Sequence, residues 1–389
     1  MKFLTIDTVA NLKGKRVIVR TDFNVRVENG LVAEEFRIKK TLPTIQFLVD
    51  AGAKVILVSH IDEKEGGTLL PVATYLLPFF PKLRFVPDVF SPDAKNEVQH
   101  LADGGVLLFE NLRKWPGEVE CTPSFAKHLA SFGEIFVNDG FAVSHRVHAS
   151  VVGIAKELPA YGGLLLRDEV RALSTSFTPP HPFLFILGGA KFETKLPLVD
   201  KFSKTADAVF VGGALANDLF KAKGLFVGDS LVSNIDVSAY LSKPNIFLPI
   251  DVRTQHKGFY YTKKPNEISV NERIWDIGPE TVTDLKRSIN EAKLIVWNGP
   301  MGNYEQGFVS GTKELAEVIV QSNAKTIVGG GDVVTVLNSL HMLDTFSFVS
   351  TGGAAMLEFL SNETLPGIEV LSTQKEELQK DSWLSKLFS

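Results

Sequence analysis

A single cysteine, Cys121, stands in a chain of 389 residues. That excludes an intrachain disulfide and any cysteine-rich zinc site. In its Cys-Thr-Pro-Ser context Cys121 reads as an inert small residue at a helix start. No sign of charge dominates. Lys and Arg number 41 against 45 Asp and Glu, a formal net charge of −4. Nothing global therefore attracts nucleic acid or an anionic membrane, and any anion site has to be built locally. No apolar run approaches the ~18 residues that a membrane span needs. The start, Met1-Lys-Phe-Leu-Thr-Ile-Asp7, has an early acid and no small-residue cleavage pattern. It does not read as a signal peptide, so the cytoplasm is the expected location. Low-complexity segments and short-period repeats are lacking as well.

What is there is a regular alternation. Short runs rich in Val, Ile and Phe are separated by segments of helical period. The runs are 16–20, 54–58, 83–86, 106–109 and 135–137, then 183–187, 208–211, 294–297, 326–328 and 346–349. Helical patterns between them include 44–51, 123–132, 195–204, 280–291 and 312–321. Strands apolar on both faces, separated by helices, predict parallel sheets covered on both sides. Ten such strands are more than one open sheet of this type usually carries, so they divide five and five. The break falls near Phe177-Thr-Pro-Pro-His-Pro182, since three prolines in six residues suit neither helix nor central strand. Just before it, the helix-like stretch from Gly162 to Leu173 could join the two domains. The tail from Gln374 to Phe388 reads as a short amphipathic helix docked on the body.

Ligands of open α/β sheets bind beyond the carboxyl ends of the strands. The unusual residues collect there. In the second half, three apolar runs lead into glycine turns: Gly188-Gly-Ala-Lys191, Gly329-Gly-Gly-Asp332 and Ser350-Thr-Gly-Gly353. The last two are followed at once by helix formers, which leaves backbone N–H groups pointing at a site for an anion. With Lys191, Lys195 and Asp332 nearby, they suggest a polyphosphate site with one carboxylate for Mg²⁺, which keeps waters and phosphate oxygens as its other ligands. In the first half, Arg20-Thr-Asp-Phe-Asn24, Glu110-Asn-Leu-Arg113 and the loop from Asn138 to His148 gather arginines and histidines, and Arg37 opens a helix. Each arginine alone would suit a surface ion pair; together they suit a small anionic ligand. The His145-x-x-His148 spacing is poor for zinc. A dinucleotide fold needs glycines after the first strand, where this chain has Arg-Thr-Asp-Phe-Asn. Walker A and protein-kinase glycine patterns are absent.

In order along the chain, Arg20-Thr-Asp-Phe-Asn-Val25, Glu110-Asn-Leu-Arg113, Val137-Asn-Asp139, His145-Arg-Val-His-Ala-Ser150, Gly188-Gly-Ala-Lys191, Trp297-Asn-Gly-Pro-Met-Gly302, Gly329-Gly-Gly-Asp332 and Ser350-Thr-Gly-Gly353 resemble the phosphoglycerate kinase family. The resemblance runs from about residue 1 to Ile368. It implies an α/β fold of two doubly wound parallel-sheet domains facing a cleft and joined by an interdomain helix. The implied boundaries are 1–162 for a phosphoglycerate-binding domain, 163–178 for the helix and 179–368 for a nucleotide-binding domain, with the tail 369–389 packing back on the first domain. It implies phosphoryl transfer between 1,3-bisphosphoglycerate and ADP, giving 3-phosphoglycerate and ATP, with Mg²⁺ and a monomeric enzyme. By the same resemblance Asp22, Asn24, Arg37, His60, Arg113 and Arg146 would hold the glycerate substrate. Lys191 and Lys195 would meet the phosphates, Asp332 the metal and Glu305 the ribose. Gly212, Gly213 and Pro300 would form the adenine pocket. Gly189 and Asn298 belong to the same nucleotide site. Gly329, Gly330, Gly331, Asp332 and Val333 would present N–H groups, as would Gly352 and Gly353. Arg37, Lys191, Gly352 and Gly353 would act on the transferring group.

The chain departs from the family pattern after His60. Leu-Gly-Arg-Pro is usual there, and Ile61-Asp-Glu-Lys-Glu65 stands in its place. An arginine is lost and three acids appear near an anion site. Val333 replaces a usual Thr and Ala354 a usual Gly. Arg26 and Lys114 are unexpected cations, expected to compensate by meeting the substrate or by pairing with Asp62 and Glu63. A non-catalytic nucleotide-binding homologue is the alternative reading, favoured only by that altered loop.

Overall fold

The computed structural model describes residues 3–62, 67–190, 192–233 and 235–374. The chain forms two compact units. Residues up to Arg171, with those from Thr364 onward, make one, and Ala172–Glu363 the other. The division falls inside the helix Leu164–Ser174. Residues 366–374 are helical in the first unit, where the Gln374 side chain accepts from the Ala160 N–H at 2.7 Å. The rest of the expected tail helix, 375–389, lies outside the described residues.

The first unit contains β1 (Arg16–Arg20), β2 (Val27–Glu28), β3 (Leu31–Val32), β4 (Lys54–Val58), β5 (Arg84–Val86), β6 (Val106–Phe109), β7 (Ile135–Asn138) and β8 (Ala160–Gly162). Six of these form one sheet in the order β5-β6-β4-β1-β7-β8, and every pairing in it is parallel. Val17, Ile56, Leu107 and Phe136 are all fully or almost fully buried, so helices cover both faces of the strands they sit on. Each such side chain gains about 1.5–3 kcal/mol from leaving water, which is why the apolar runs sit centrally. From β1 the chain goes one way to β4 and returns on the other side as β7. The connections leaving β1 and β7 therefore diverge, towards β4 and β8, and they open a site at the carboxyl ends.

The second unit repeats the plan with β9 (Phe183–Leu187), β10 (Ala208–Val211), β11 (Ile246–Phe247), β12 (Val252–His256), β13 (Phe259–Lys263), β14 (Arg273–Ile277), β15 (Leu294–Asn298), β16 (Lys325–Gly329) and β17 (Phe348–Val349). Its sheet runs β11-β10-β9-β15-β16-β17 and is parallel throughout. All five residues of β9 are buried.

The five-and-five division undercounts. Among the described residues each sheet has six strands, because the edge strands β8 and β11 are only three and two residues long and carry no apolar run. A three-stranded antiparallel sheet, β13-β12-β14, was also not expected. Its hairpin turns at Lys257 and Gly258, both with positive φ, the two-residue geometry that matches strand twist. Two helices begin earlier than the period suggests. Phe36–Asp50 and Phe192–Thr205 run through Pro43 and Pro197, which interrupt the hydrogen-bond ladder without ending either helix.

Candidate active site

In the first unit, β6, β4, β1 and β7 are adjacent, so four strand-end loops lie side by side. They carry Arg113, His60, the segment Arg20 to Asn24, and Arg146 respectively. Arg20 is completely buried. Its Nη1 donates to the Thr21 carbonyl and its Nη2 lies 3.1 Å from His60 Nδ1. A guanidinium only donates, so Nδ1 accepts and the proton of His60 sits on Nε2. Burial pushes His60 well below its ordinary pKa, and the charges of Arg20, Arg113 and Arg146 push it further. His60 is thus a neutral donor at pH 7. His148 is lowered to about 4 by burial and by Arg113, Arg146 and Arg20.

The same crowding acts on Arg113. Burial, then Arg146 and Arg20, lower its pKa to about 10. Its Nε and Nη2 are buried and have no hydrogen-bond partner among the described residues. Unspent buried donors cost free energy unless a ligand takes them. Three arginines gathered with two neutral histidines make a place for a multiply charged anion. Arg37 is nearby in the fold, at the start of its helix. Its Nη1 donates to Asp22 Oδ2 at 2.9 Å and to the Asn24 carbonyl at 3.2 Å.

The expected pairing of Arg26 and Lys114 with Asp62 is corrected here. Arg26 pairs with Glu28, and Lys114 Nζ with Glu110 Oε2 at 2.8 Å. These are the nearest carboxylates on their own hairpin and turn. Asp62 is met instead by Arg113 and Asn24. Glu63 lies outside the described residues.

In the second unit, β10, β9, β15 and β16 are adjacent, and each ends in a glycine turn. The turns lace together. Gly188 N–H donates to the Asn298 carbonyl and Gly189 N–H to the Pro300 carbonyl, each at 2.8 Å. The Asn298 side chain is buried and donates to the Gly329 carbonyl at 2.9 Å. Asn298 therefore braces two turns, one through its backbone carbonyl and one through its side-chain amide. Gly213 has φ +61, and a Cβ there would lie 2.6 Å from Gly189 N. Only glycine lets the two turns approach so closely. Gly330, with φ +112, opens the helix Gly331–Ser339.

A cavity of about 340 Å³ lies beside these turns, lined by Gly189, Gly213, Pro300, Glu305 and Asp332. Lys195 is buried beneath it and donates to the Gly188 carbonyl. Burial lowers its pKa to about 8, against the pull of Asp332. Asp332 is exposed in the first turn of its helix, where the Tyr304 hydroxyl donates to it at 3.3 Å. Among the described residues no three His, Cys, Asp or Glu side chains converge as a metal-ligating group. One exposed carboxylate facing a polyphosphate pocket suits Mg²⁺, whose remaining ligands are waters and phosphate oxygens.

Gly212 follows β10 and is fixed by its N–H to the Leu187 carbonyl at 2.8 Å. Gly331 and Val333 stand in the first turn after β16, and Gly352 and Gly353 precede the helix Ala354–Asn362. Lys191 lies outside the described residues. Residue reasoning missed four contributors. Arg20 orients His60, yet it was read only as part of a motif. Arg273, Trp275 and Asp276 line the cavity from β14. Trp275 stacks on Phe308 with ring centroids 5.0 Å apart, and the Arg273 guanidinium lies over Trp275. The alternating pattern around Arg273-Ile-Trp-Asp-Ile277 was the available signal.

A sequence-family model described as phosphoglycerate kinase matches residues 6–363. The phosphoglycerate kinase of Leptospira biflexa serovar Patoc is 38% identical over 387 residues, covering 94% of this chain and 98% of the relative. That of Caulobacter vibrioides is 38% identical over 397 residues, covering 96% and 100%. Among solved structures, phosphoglycerate kinase from Coxiella burnetii superposes with a TM-score of 0.83 at 34% identity, covering 96% of this chain and 99% of that one. The enzyme from Pyrococcus horikoshii OT3 gives 0.85 at 29%, with the same coverage. No helix of the described residues is long and apolar enough to cross a membrane.

Proposed function

The chain belongs to the phosphoglycerate kinase family, a glycolytic kinase that transfers phosphate between ATP and the carboxyl group of 3-phosphoglycerate, and from that premise we propose which residues hold each reactant. His60, Arg113 and Arg146 hold the phosphoglycerate, with Arg20 orienting His60 and with Asp22 and Asn24 placing Arg37 beside it. The buried, unspent Nε and Nη2 of Arg113 carry this reading. The nucleotide lies in the cavity beside Gly189, Gly213 and Pro300, with Glu305 toward the ribose. Lys195, Lys191 and the N–H groups of Gly330 to Val333 meet its phosphates. Asp332 would hold Mg²⁺, which when bound supplies positive charge to the phosphate oxygens.

The acceptor in the ATP-consuming direction is a carboxylate, already ionised at pH 7. No general base is required, which agrees with a basic cluster whose two histidines, His60 and His148, are held neutral. The demands that remain are alignment and positive charge around the moving phosphoryl group. Arg37, Lys191 and the N–H groups at Gly352 and Gly353 meet them. The reading carries two further expectations from the sequence, a cytoplasmic location and a monomer.

The test separates the two sites. Arg146→Ala should weaken phosphoglycerate binding by about 1.5–3 kcal/mol, the worth of a charge-assisted hydrogen bond, and leave the nucleotide Kd unchanged. Equal loss of both ligands would show that Arg146 has been misassigned.

A further inference from the structure

Asp62 sits inside the basic cluster described above, on the loop after β4. Its side chain is half-exposed, and it pairs with Arg113. Arg113 Nη1 donates to Asp62 Oδ1. Asn24 Nδ2 donates to Asp62 Oδ2 at 3.1 Å, and Asp62 N–H donates back to Asn24 Oδ1 at 2.8 Å. His60 Nε2, the ring nitrogen that carries the proton, is 3.9 Å from Asp62 Oδ2. One carboxylate thus addresses three of the residues assigned to the phosphoglycerate, and both polar ends of the Asn24 amide are spent on it. Lys114 and Arg26 do not share in holding Asp62, since each pairs with an acid elsewhere.

We propose that Asp62 is a resident anion of the phosphoglycerate site, a carboxylate that an incoming substrate has to displace from Arg113 and that lowers the apparent affinity of the site for anions. The inference rests on the assignment of Arg113 to phosphoglycerate. A competitor built into the chain acts at an effective concentration in the millimolar range or above, so it lowers apparent affinity at every substrate concentration. It is half-exposed and hydrated, which keeps its hold on Arg113 modest and reversible. A ligand with several charges can take the buried Nε and Nη2 as well and so wins the exchange. Every anion that takes Arg113 bears the same cost of displacing Asp62, so removing the carboxylate should tighten all of them alike.

The test is calorimetric titration of 3-phosphoglycerate and, separately, inorganic phosphate, in the absence of nucleotide. The proteins are the wild-type full-length chain, Asp62→Asn and Asp62→Ala. Both variants should bind 3-phosphoglycerate about three- to tenfold more tightly, and inorganic phosphate likewise. Their nucleotide Kd should stay at the wild-type value, which also reports an intact fold. In steady-state assays the change should appear in KM for phosphoglycerate rather than in kcat. In an Arg113→Ala background, Asp62→Ala should bring no gain, since the contact being competed for is gone. Unchanged or weaker phosphoglycerate binding in the two single variants overturns the proposal. If Arg113→Ala itself leaves phosphoglycerate binding intact, the site assignment fails instead, and the two failures are told apart.

Discussion

Lys195 shows how far a side chain's role depends on where the fold places it. In the sequence it is one lysine among many near a glycine turn. In the structure it is buried against the Gly189 and Gly299 turns, donates to the Gly188 carbonyl and has its pKa lowered to about 8. A base with a depressed pKa is charged below that value and neutral above it. If its charge meets the nucleotide phosphates, kcat/KM for ATP should fall as pH rises through about 8, since this ratio reports groups of the free enzyme. Lys195→Arg, which stays charged throughout, should remove that alkaline limb even if it lowers the plateau. A limb that persists in the arginine variant would assign it to another group. Arg20 makes a similar point from the opposite side. Its type and position were visible at the end of β1, but its burial and its bond to His60 Nδ1 were not. Charge in a motif identifies an anion site; which arginine touches the ligand and which holds a neighbour depends on packing.

The helix Leu164–Ser174 begins on a buried acid. Asp139, at the end of β7, accepts from the Leu165 N–H at 2.9 Å, and its Oδ2 has no hydrogen-bond partner among the described residues. A helix start favours an anion, yet burial dominates and raises the Asp139 pKa to about 8. An acid whose folded pKa exceeds its unfolded one, about 3.9, binds more protons when folded. Stability should therefore fall as pH rises from about 4 to about 8 and level off above that. Asp139→Asn keeps the acceptor for Leu165 and removes the titration. Thermal melts across that range should show a flatter profile for the variant, and at pH 9 a Tm at least equal to wild type. A profile as steep as wild type would place the titration elsewhere. The strands were legible because parallel sheets demand apolar residues on both faces. The sheet β12–β14 was not, because it lies outside the parallel core and its hydrophobics, among them Phe259 and Tyr260, are largely exposed. Lys257-Gly258 was the one local sign of its hairpin.

Each of the two units assembles its own site, so ligand binding should separate from turnover. EDTA should abolish turnover with ATP and leave 3-phosphoglycerate binding intact by calorimetry, because the arginine cluster needs no metal. Loss of phosphoglycerate affinity in EDTA would point to a cation in the first unit. The sequence by itself determined the fold class and, through its family, the reaction, and it supplied the residues proposed for the site. Apolar periodicity dictates parallel sheets, and strand-end loops are the places where an open α/β sheet exposes chemistry. The motifs there carry arginine, glycine and lysine in an order that few reactions require. What only the tertiary structure decided is how those groups are spent on one another. That Asn298 braces the glycine turns, that Arg113 rather than Lys114 answers Asp62, and that Lys195 is buried are outcomes of residues distant in sequence meeting within hydrogen-bond reach. Such pairings depend on strand order and loop geometry, to which periodicity and composition carry no signal.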